Sequence, residues 1–165
     1  MIAIPEGVTV DINGFDVMVK GPKGSVTKRL AGKVAIEKEG NNVVVTGSEK
    51  KKALVGTVSS LINSMIRGVT EGYLKQLKVL YSHFPVTLEV KGKSVVIKNF
   101  IGEKYPRKAK ISGDETKVEV KGQDVKVSGP DKEAVGQTVA NMKSALKIRK
   151  KDRRVFQDGI YEVIE

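Results

Sequence analysis

Apolar and polar positions alternate with period two over short stretches, and glycines interrupt the alternation. Val8, Val10 and Ile12 run into Asn13-Gly14, and the pattern resumes at Val17 and Val19. This predicts two antiparallel strands joined by a tight turn, and Asn-Gly points to a type I′ turn. The same spacing returns at Val86, Leu88, Val90, Lys91-Gly92, Val95 and Ile97, while Gly40 and Gly122 mark a second hairpin in each half. After each second hairpin the period changes. Leu54, Val58, Leu61, Ile62, Met65 and Ile66 recur every three or four residues, with Ser48 placed to cap a helix and Gly68 to stop it. Val135, Val139, Met142 and Leu146 give a second helix behind Ser128-Gly-Pro130-Asp131. Strands come first and a helix last in each half, so the predicted class is α+β, an antiparallel sheet covered by one helix in each half.

The two halves are copies of one unit. Val8 to Gly24 aligns without gaps to Val86 to Gly102, and Ile36 to Gly47 matches Val118 to Gly129 in the same order and spacing. Two tandem duplicated domains are therefore expected, residues 1–80 and 81–165, each near the lower size limit for independent folding. Gly21-Pro-Lys-Gly24 in the first copy is replaced by Asn99-Phe-Ile-Gly102 in the second, so roles in one half do not transfer to the other.

Composition narrows the chemistry. The chain has 165 residues, no cysteine and one histidine, which excludes disulfide frameworks, thiolate metal sites and cysteine nucleophiles. Met1-Ile-Ala-Ile-Pro-Glu-Gly lacks the basic and apolar segments of a signal peptide. The longest uncharged stretch, Leu54 to Ile66, falls short of the roughly 20 apolar residues of a spanning helix. A soluble, intracellular protein with no membrane partner is the expectation.

Thirty Lys+Arg stand against nineteen Asp+Glu, a formal net charge of +11. The two halves carry similar net charge, +5 for residues 1–80 and +6 for 81–165, but its distribution differs. Lys104, Arg107, Lys108 and Lys110 lie in a window without an acid. Lys147, Arg149, Lys150, Lys151, Arg153 and Arg154 surround a single acid, Asp152. These two windows hold +9 of the total. Clustered cations suit a polyanion, because each phosphate they neutralise releases a condensed counterion. Arginine adds a planar donor fork for phosphate oxygens. A helix end before the second window accounts for one or two of its cations through the helix dipole, not for six.

The first window is read as a loop containing Pro106, following the second-half hairpin. Its Tyr105 either stacks on an unpaired base or a ribose, or covers the sheet edge, and the sequence leaves these open. Gly21-Pro-Lys-Gly24-Ser25 has the wrong spacing for a phosphate-binding P-loop, and no helical pattern follows it. His83, alone between the halves, is expected to pack or hydrogen-bond rather than to act as a base, and Asp152 and Asp158 to serve ion pairs or turns. A structural RNA-binding role has two rivals. One is a free architectural nucleic-acid-binding protein, which would need a dimer and an arm or apolar wedge that are not legible here. The other is an enzyme acting on RNA with His83 or the acids as catalysts.

Several longer motifs carry a resemblance. Gly136-Gln-Thr-Val-Ala-Asn141 and Lys151-Asp-Arg153-Arg154-Val-Phe156-Gln-Asp158-Gly159-Ile160-Tyr161 resemble the C-terminal signature of the universal large-subunit ribosomal protein L6 family. So do Asn99-Phe-Ile-Gly102-Glu103-Lys104, Ser82-His83-Phe84-Pro85 and Gly68-Val-Thr-Glu-Gly72-Tyr73. The form of these motifs is that of the archaeal and eukaryotic branch, and the compact chain is most similar to archaeal members. The resemblance implies two duplicated α+β domains, no catalysis and no cofactor. It implies a cytoplasmic, ribosomal protein that binds large-subunit ribosomal RNA near the sarcin-ricin loop and the stalk base, beside neighbouring large-subunit and stalk-base proteins and the docking place of translational GTPases. Its C-terminal domain would make much of the RNA contact. That favours Lys104, Arg107 and Lys108 in the loop and Lys147, Arg149, Lys150, Lys151, Arg153 and Arg154 in the tail. Phe156 and Tyr161 are expected to pack.

Overall fold

Each stretch of period-two alternation folds as a strand in the computed structural model, which describes residues 2–30, 34–40, 42–47 and 52–163. The chain separates into two compact units, residues 1–72 with 130–132, and residues 73–129 with 133–165. Both are α+β, with antiparallel sheets and one long helix apiece, and in each the strands divide over two small sheets.

In the first unit β1 (Ile2–Ala3), β6 (Asn42–Thr46) and β5 (Ala35–Glu39) form one sheet in that order. β2 (Thr9–Asn13), β3 (Asp16–Gly21) and β4 (Gly24–Arg29) form the other. Helix α1 (Lys52–Thr70) packs Val58, Ile62, Met65 and Val69 onto Val10, Val17, Val19 and Val43. It continues through the buried Gly68, the expected stop, to Thr70, whose hydroxyl donates to the carbonyls of Ile66 and Arg67. Ser48, expected as its cap, lies outside the described residues. Gly21 is required by close approach. A Cβ there would come within 2.8 Å of the Val69 side chain, and the next turn's Lys23 N–H donates to the Val69 carbonyl at 2.9 Å.

The second unit repeats this wiring. β7 (Tyr73–Leu80), β12 (Asp124–Gly129) and β11 (Lys117–Lys121) correspond to β1, β6 and β5, and β8 (Thr87–Lys91), β9 (Ser94–Lys98) and β10 (Arg107–Lys110) to β2, β3 and β4. The counterpart of β1 is thus residues 73–80, which pair with β12 from Tyr73↔Gly129 to Lys78↔Asp124. The second unit therefore begins eight residues before the boundary read from the repeat, because β1 has only two residues and leaves no alternation to align. A final strand, β13 (Gly159–Glu162), joins the free edge of β7 and has no equivalent among the described residues of the first unit. Helix α2 (Lys132–Ala145) buries Val135, Val139 and Met142 against Leu77, Val79, Val95, Ile97 and Val125.

The hairpin turns differ in type from the expectation. Asn13 pairs with Asp16, so Gly14 is the first of two turn residues, as Gly92 and Gly122 are in their hairpins. These glycines have φ of 63°, 56° and 61°, whereas Phe15, Lys93 and Gln123 do not take positive φ. Glycine at the first turn position alone fits a type II′ turn, which also matches the twist of the strands.

Candidate nucleic-acid interface

The first basic window is mostly strand. Arg107 to Lys110 form β10 against β9, with Arg107↔Ile97 and Lys110↔Ser94, and only residues 103–106 are loop. The Lys108-Ala109-Lys110 alternation accounts for this: Ala109 is buried in the core while both lysines are exposed. The connection before it is tightly determined. Asn99 and Ile101 both sit in the left-handed region, at φ 58° and 52°, around a short 3₁₀ turn, Phe100–Gly102. For β-branched Ile101 this is a strained conformation. The buried Phe100 ring, the Asn99 amide donating to the Pro85 carbonyl at 3.0 Å, and the Phe84 ring 3.4 Å from where a Gly102 Cβ would stand hold it in place.

Arg107, expected among the RNA contacts, is half-buried and bonded within the chain. Its Nε donates to Glu103 Oε2 at 2.7 Å and its Nη2 to the other oxygen of that carboxylate. Nη1 donates to the carbonyls of Ala145 at 2.8 Å and Lys147 at 3.2 Å, and the guanidinium lies 4.7 Å from the Phe100 ring centroid. Four of its five N–H groups are thereby committed within the chain. They satisfy carbonyls at the C-terminal end of α2, where a cation also suits the helix dipole.

The second window leaves that helix end as an irregular segment. Leu146 and Ile148 are buried, and Lys147 and Arg149 between and after them are exposed. Lys150 takes φ 59°, and the chain then folds over Asp152, whose carboxylate accepts from the Arg154 N–H at 2.9 Å while its carbonyl accepts from the Phe156 N–H at 2.9 Å. Asp152 thus serves a turn, as expected. The Phe156 ring packs against the core, with His83 stacked at 4.7 Å and the Lys151 ammonium at 4.5 Å.

These contacts bring the two windows together. Arg107 reaches from the first to the carbonyl of Lys147 in the second. The Arg107 hydrogen bonds hold the Glu103 carboxyl below the usual range despite partial burial, and the charge of Lys151 lowers it further. Lys147 and Arg153 also line an open cavity of about 340 Å³ with Lys143, Phe156 and Tyr161. Lys143 was not anticipated, although its place in the last turn of α2, where a cation suits the helix dipole, is a legible signal; its ammonium is paired with Glu162 at 3.2 Å. Lys104, Lys108, Lys110, Lys147, Arg149, Lys150, Lys151, Arg153 and Arg154 are all exposed, and none forms an ion pair among the described residues.

His83 has neighbours the sequence did not reveal. Buried Asp158 accepts from the Ser82 N–H at 3.1 Å and the Ser82 hydroxyl at 2.9 Å, and its Oδ1 lies 3.3 Å from His83 Nδ1. The residue types are those of a hydrolytic triad, but the connectivity is not. Ser82 Oγ stands 3.1 Å from Nδ1, the same nitrogen that faces Asp158, and its proton goes to the carboxylate. A triad places serine and aspartate on opposite ring nitrogens. This cluster ties the tail to the segment before β8. Among the described residues no group of three acids or histidines could hold a metal, and no helix is long and apolar enough to cross a membrane.

Known proteins share this arrangement of sequence. A family model described as Ribosomal protein L6 matches residues 4–72 and 84–159. The chain is 52% identical to the large ribosomal subunit protein uL6 of Staphylothermus marinus, over 97% of this chain and 90% of the relative. It is 50% identical to the uL6 of Methanosphaera stadtmanae, over 99% and 91%. To that of Haloarcula marismortui it is 46% identical, over 97% and 92%.

Proposed function

Because the chain belongs to the ribosomal protein L6 family, we propose that it holds large-subunit ribosomal RNA near the sarcin-ricin loop and the stalk base through the paired basic windows of its second unit. The family is a structural, non-enzymatic component of the large ribosomal subunit, and this chain's place is the ribosome in the archaeal cytoplasm. Its members work in complex with large-subunit RNA and ribosomal proteins. Within that setting residues 81–165 carry the main RNA surface, and the stalk-base proteins and translational GTPases are its neighbours.

The observation that carries this reading is the convergence of two separate basic windows, 104–110 and 147–154, through Arg107. Nine exposed cations then stand in the loop 103–106, on β10 and in the segment that follows α2. Duplex RNA hides its base edges in a deep groove, so such a surface reads phosphates and 2′-hydroxyls and fixes the arrangement of helices by shape. Arg107 acts as the positioning residue of that surface rather than as one of its phosphate contacts. Neutralising Arg149, Lys150, Lys151, Arg153 and Arg154 is expected to weaken binding to an rRNA fragment of this region. The slope of log K against log salt should shrink by about 0.7 to 0.9 per lost contact. An unchanged slope would mean these side chains are only solvated.

A further inference from the structure

We propose that Tyr105 is a stacking platform for an unpaired base of RNA, with Lys104 and Lys108 taking phosphates of the same strand; this rests on the RNA-binding reading above. Tyr105 is 86% exposed, more than any other large apolar side chain among the described residues. That exposure removes the role of covering the sheet edge and leaves a full ring face presented to solvent.

The loop that carries the ring is held at both ends. Glu103 N–H donates to the Phe100 carbonyl at 3.0 Å, and the Glu103 carboxylate is gripped by Arg107 four residues on. Pro106 fixes its own φ and restricts Tyr105 before it to extended backbone. The aromatic is therefore carried at a set place with little backbone freedom left to lose on binding, which favours affinity. Glu103 is the one acid in the loop, and its charge is matched by Arg107. The charges left beside the ring along the chain are those of the exposed Lys104 and Lys108. Consecutive Cα atoms are about 3.8 Å apart, so Lys104 and Lys108 stand within one and at most three such steps of Tyr105 along the chain.

An aromatic beside exposed lysines fits one ligand class best, a nucleotide whose base is out of the helical stack. Every base offers a π face, so recognition is tolerant of sequence, whereas a paired A-form helix offers no face to the ring. The proposal thus separates two kinds of contact within one interface. The tail cations and Lys110 meet phosphates of helices, and Tyr105, with Lys104 and Lys108, meets a single unpaired position and its strand.

The experiment measures binding of the full chain to an rRNA fragment containing unpaired nucleotides and to a fully paired RNA of equal length, each over a series of salt concentrations. Tyr105→Ala is expected to lose about tenfold on the first RNA and nothing on the second, with an unchanged salt slope, because no charge is removed. Tyr105→Phe should bind like the parent. The chain contains no tryptophan, so Tyr105→Trp provides a single emission that base stacking should quench. Parental affinity of Tyr105→Ala, or an equal loss on paired RNA, overturns the stacking role while the phosphate surface stands. Unaltered RNA binding combined with failure of Tyr105→Ala to enter large subunits assigns the ring to a protein and also overturns it. If the parent chain itself binds neither RNA in a salt-dependent way, the RNA reading fails and this one with it.

Discussion

Asp158 is 3% exposed, and its carboxylate is held by groups 75 and 76 residues earlier in the chain. Burial by itself pushes its carboxyl upward, but the Ser82 N–H and hydroxyl and the His83 ring outweigh that and hold it below the ordinary value. A carboxyl with a lower pKa in the folded than in the unfolded chain adds stability above the unfolded value, about 3.9, and loses it as pH falls through the folded one. Glu103 and Glu162 are lowered too, by Arg107 and by Lys75 and Lys143 respectively, and act in the same direction. Stability should therefore decline below about pH 4. Asp158→Asn should be less stable than the parent at neutral pH and should lose less on acidification, a difference read from urea midpoints taken at pH 7 and pH 3 with unchanged m. Asp158→Ala leaves the Ser82 donors unmatched, at a cost of about 1–3 kcal/mol at neutral pH. Parallel acid slopes for Asp158→Asn and the parent would remove Asp158 from this account. Nothing in the sequence pairs Asp158 with Ser82. A turn or ion-pair role was legible from its neighbours, but a contact across so long a separation has no local pattern to betray it.

Arg107 belongs to the scale of elements, because its donors join a 3₁₀ turn, a strand and a helix end. In the first unit the corresponding chain makes the short turn Gly21-Pro22-Lys23-Gly24 between β3 and β4, with Gly21 pressed on Val69. In the second, β10 starts only at Arg107, and the residues gained carry Lys104 and Tyr105. The substitution of Asn99-Phe-Ile-Gly102 was visible in the repeat alignment, and so was its warning against copying roles between halves. The bonding of Arg107 within the chain was not visible, since charge clustering counts cations without saying which are already spent on carbonyls. Lysine cannot replace this arginine: a single ammonium cannot grip Glu103 bidentately and also reach two carbonyls. Arg107→Lys and Arg107→Ala should both destabilise the chain by about 1–3 kcal/mol, partly exposed pairs being worth little singly and more in a network. Both should speed hydrogen exchange at the amides of Leu146 and Lys147, which now donate to Met142 and Ser144 carbonyls. RNA affinity should fall in both, with the salt slope of Arg107→Lys unchanged. Wild-type affinity and exchange in Arg107→Lys would instead mark Arg107 as an ordinary phosphate contact.

Across the whole chain, duplication supplied two hydrophobic cores that have no residue in common, one built on Val17, Val19, Ile62 and Val69 and the other on Leu77, Ile97, Phe100 and Met142. Both were legible because alternation and helical spacing survive in both copies. The allotment of strands to sheets was less so, since β1 is two residues long and β13 pairs with β7 across some eighty residues, beyond the reach of any periodicity. The basic windows follow the divergence between the copies rather than the shared fold. Each half carries a similar net charge, yet only the second gathers it beside an elongated loop and an irregular tail. This separates two physical accounts of RNA affinity, a diffuse attraction set by net charge and a local one set by phosphate contacts. Two variants equal in net charge distinguish them. Replacing Lys20, Lys23, Arg29 and Lys52 of the first unit by glutamine removes the same charge as replacing Arg149, Lys150, Lys151 and Arg153 of the second. A diffuse field would weaken binding alike in both. Local contacts should lower the salt slope by about 3 in the second variant and leave it nearly unchanged in the first, as read from filter binding at several salt concentrations. All eight side chains are exposed, and of them Lys151 alone is placed over a packed ring, that of Phe156, so the comparison separates where charge sits from how much of it there is.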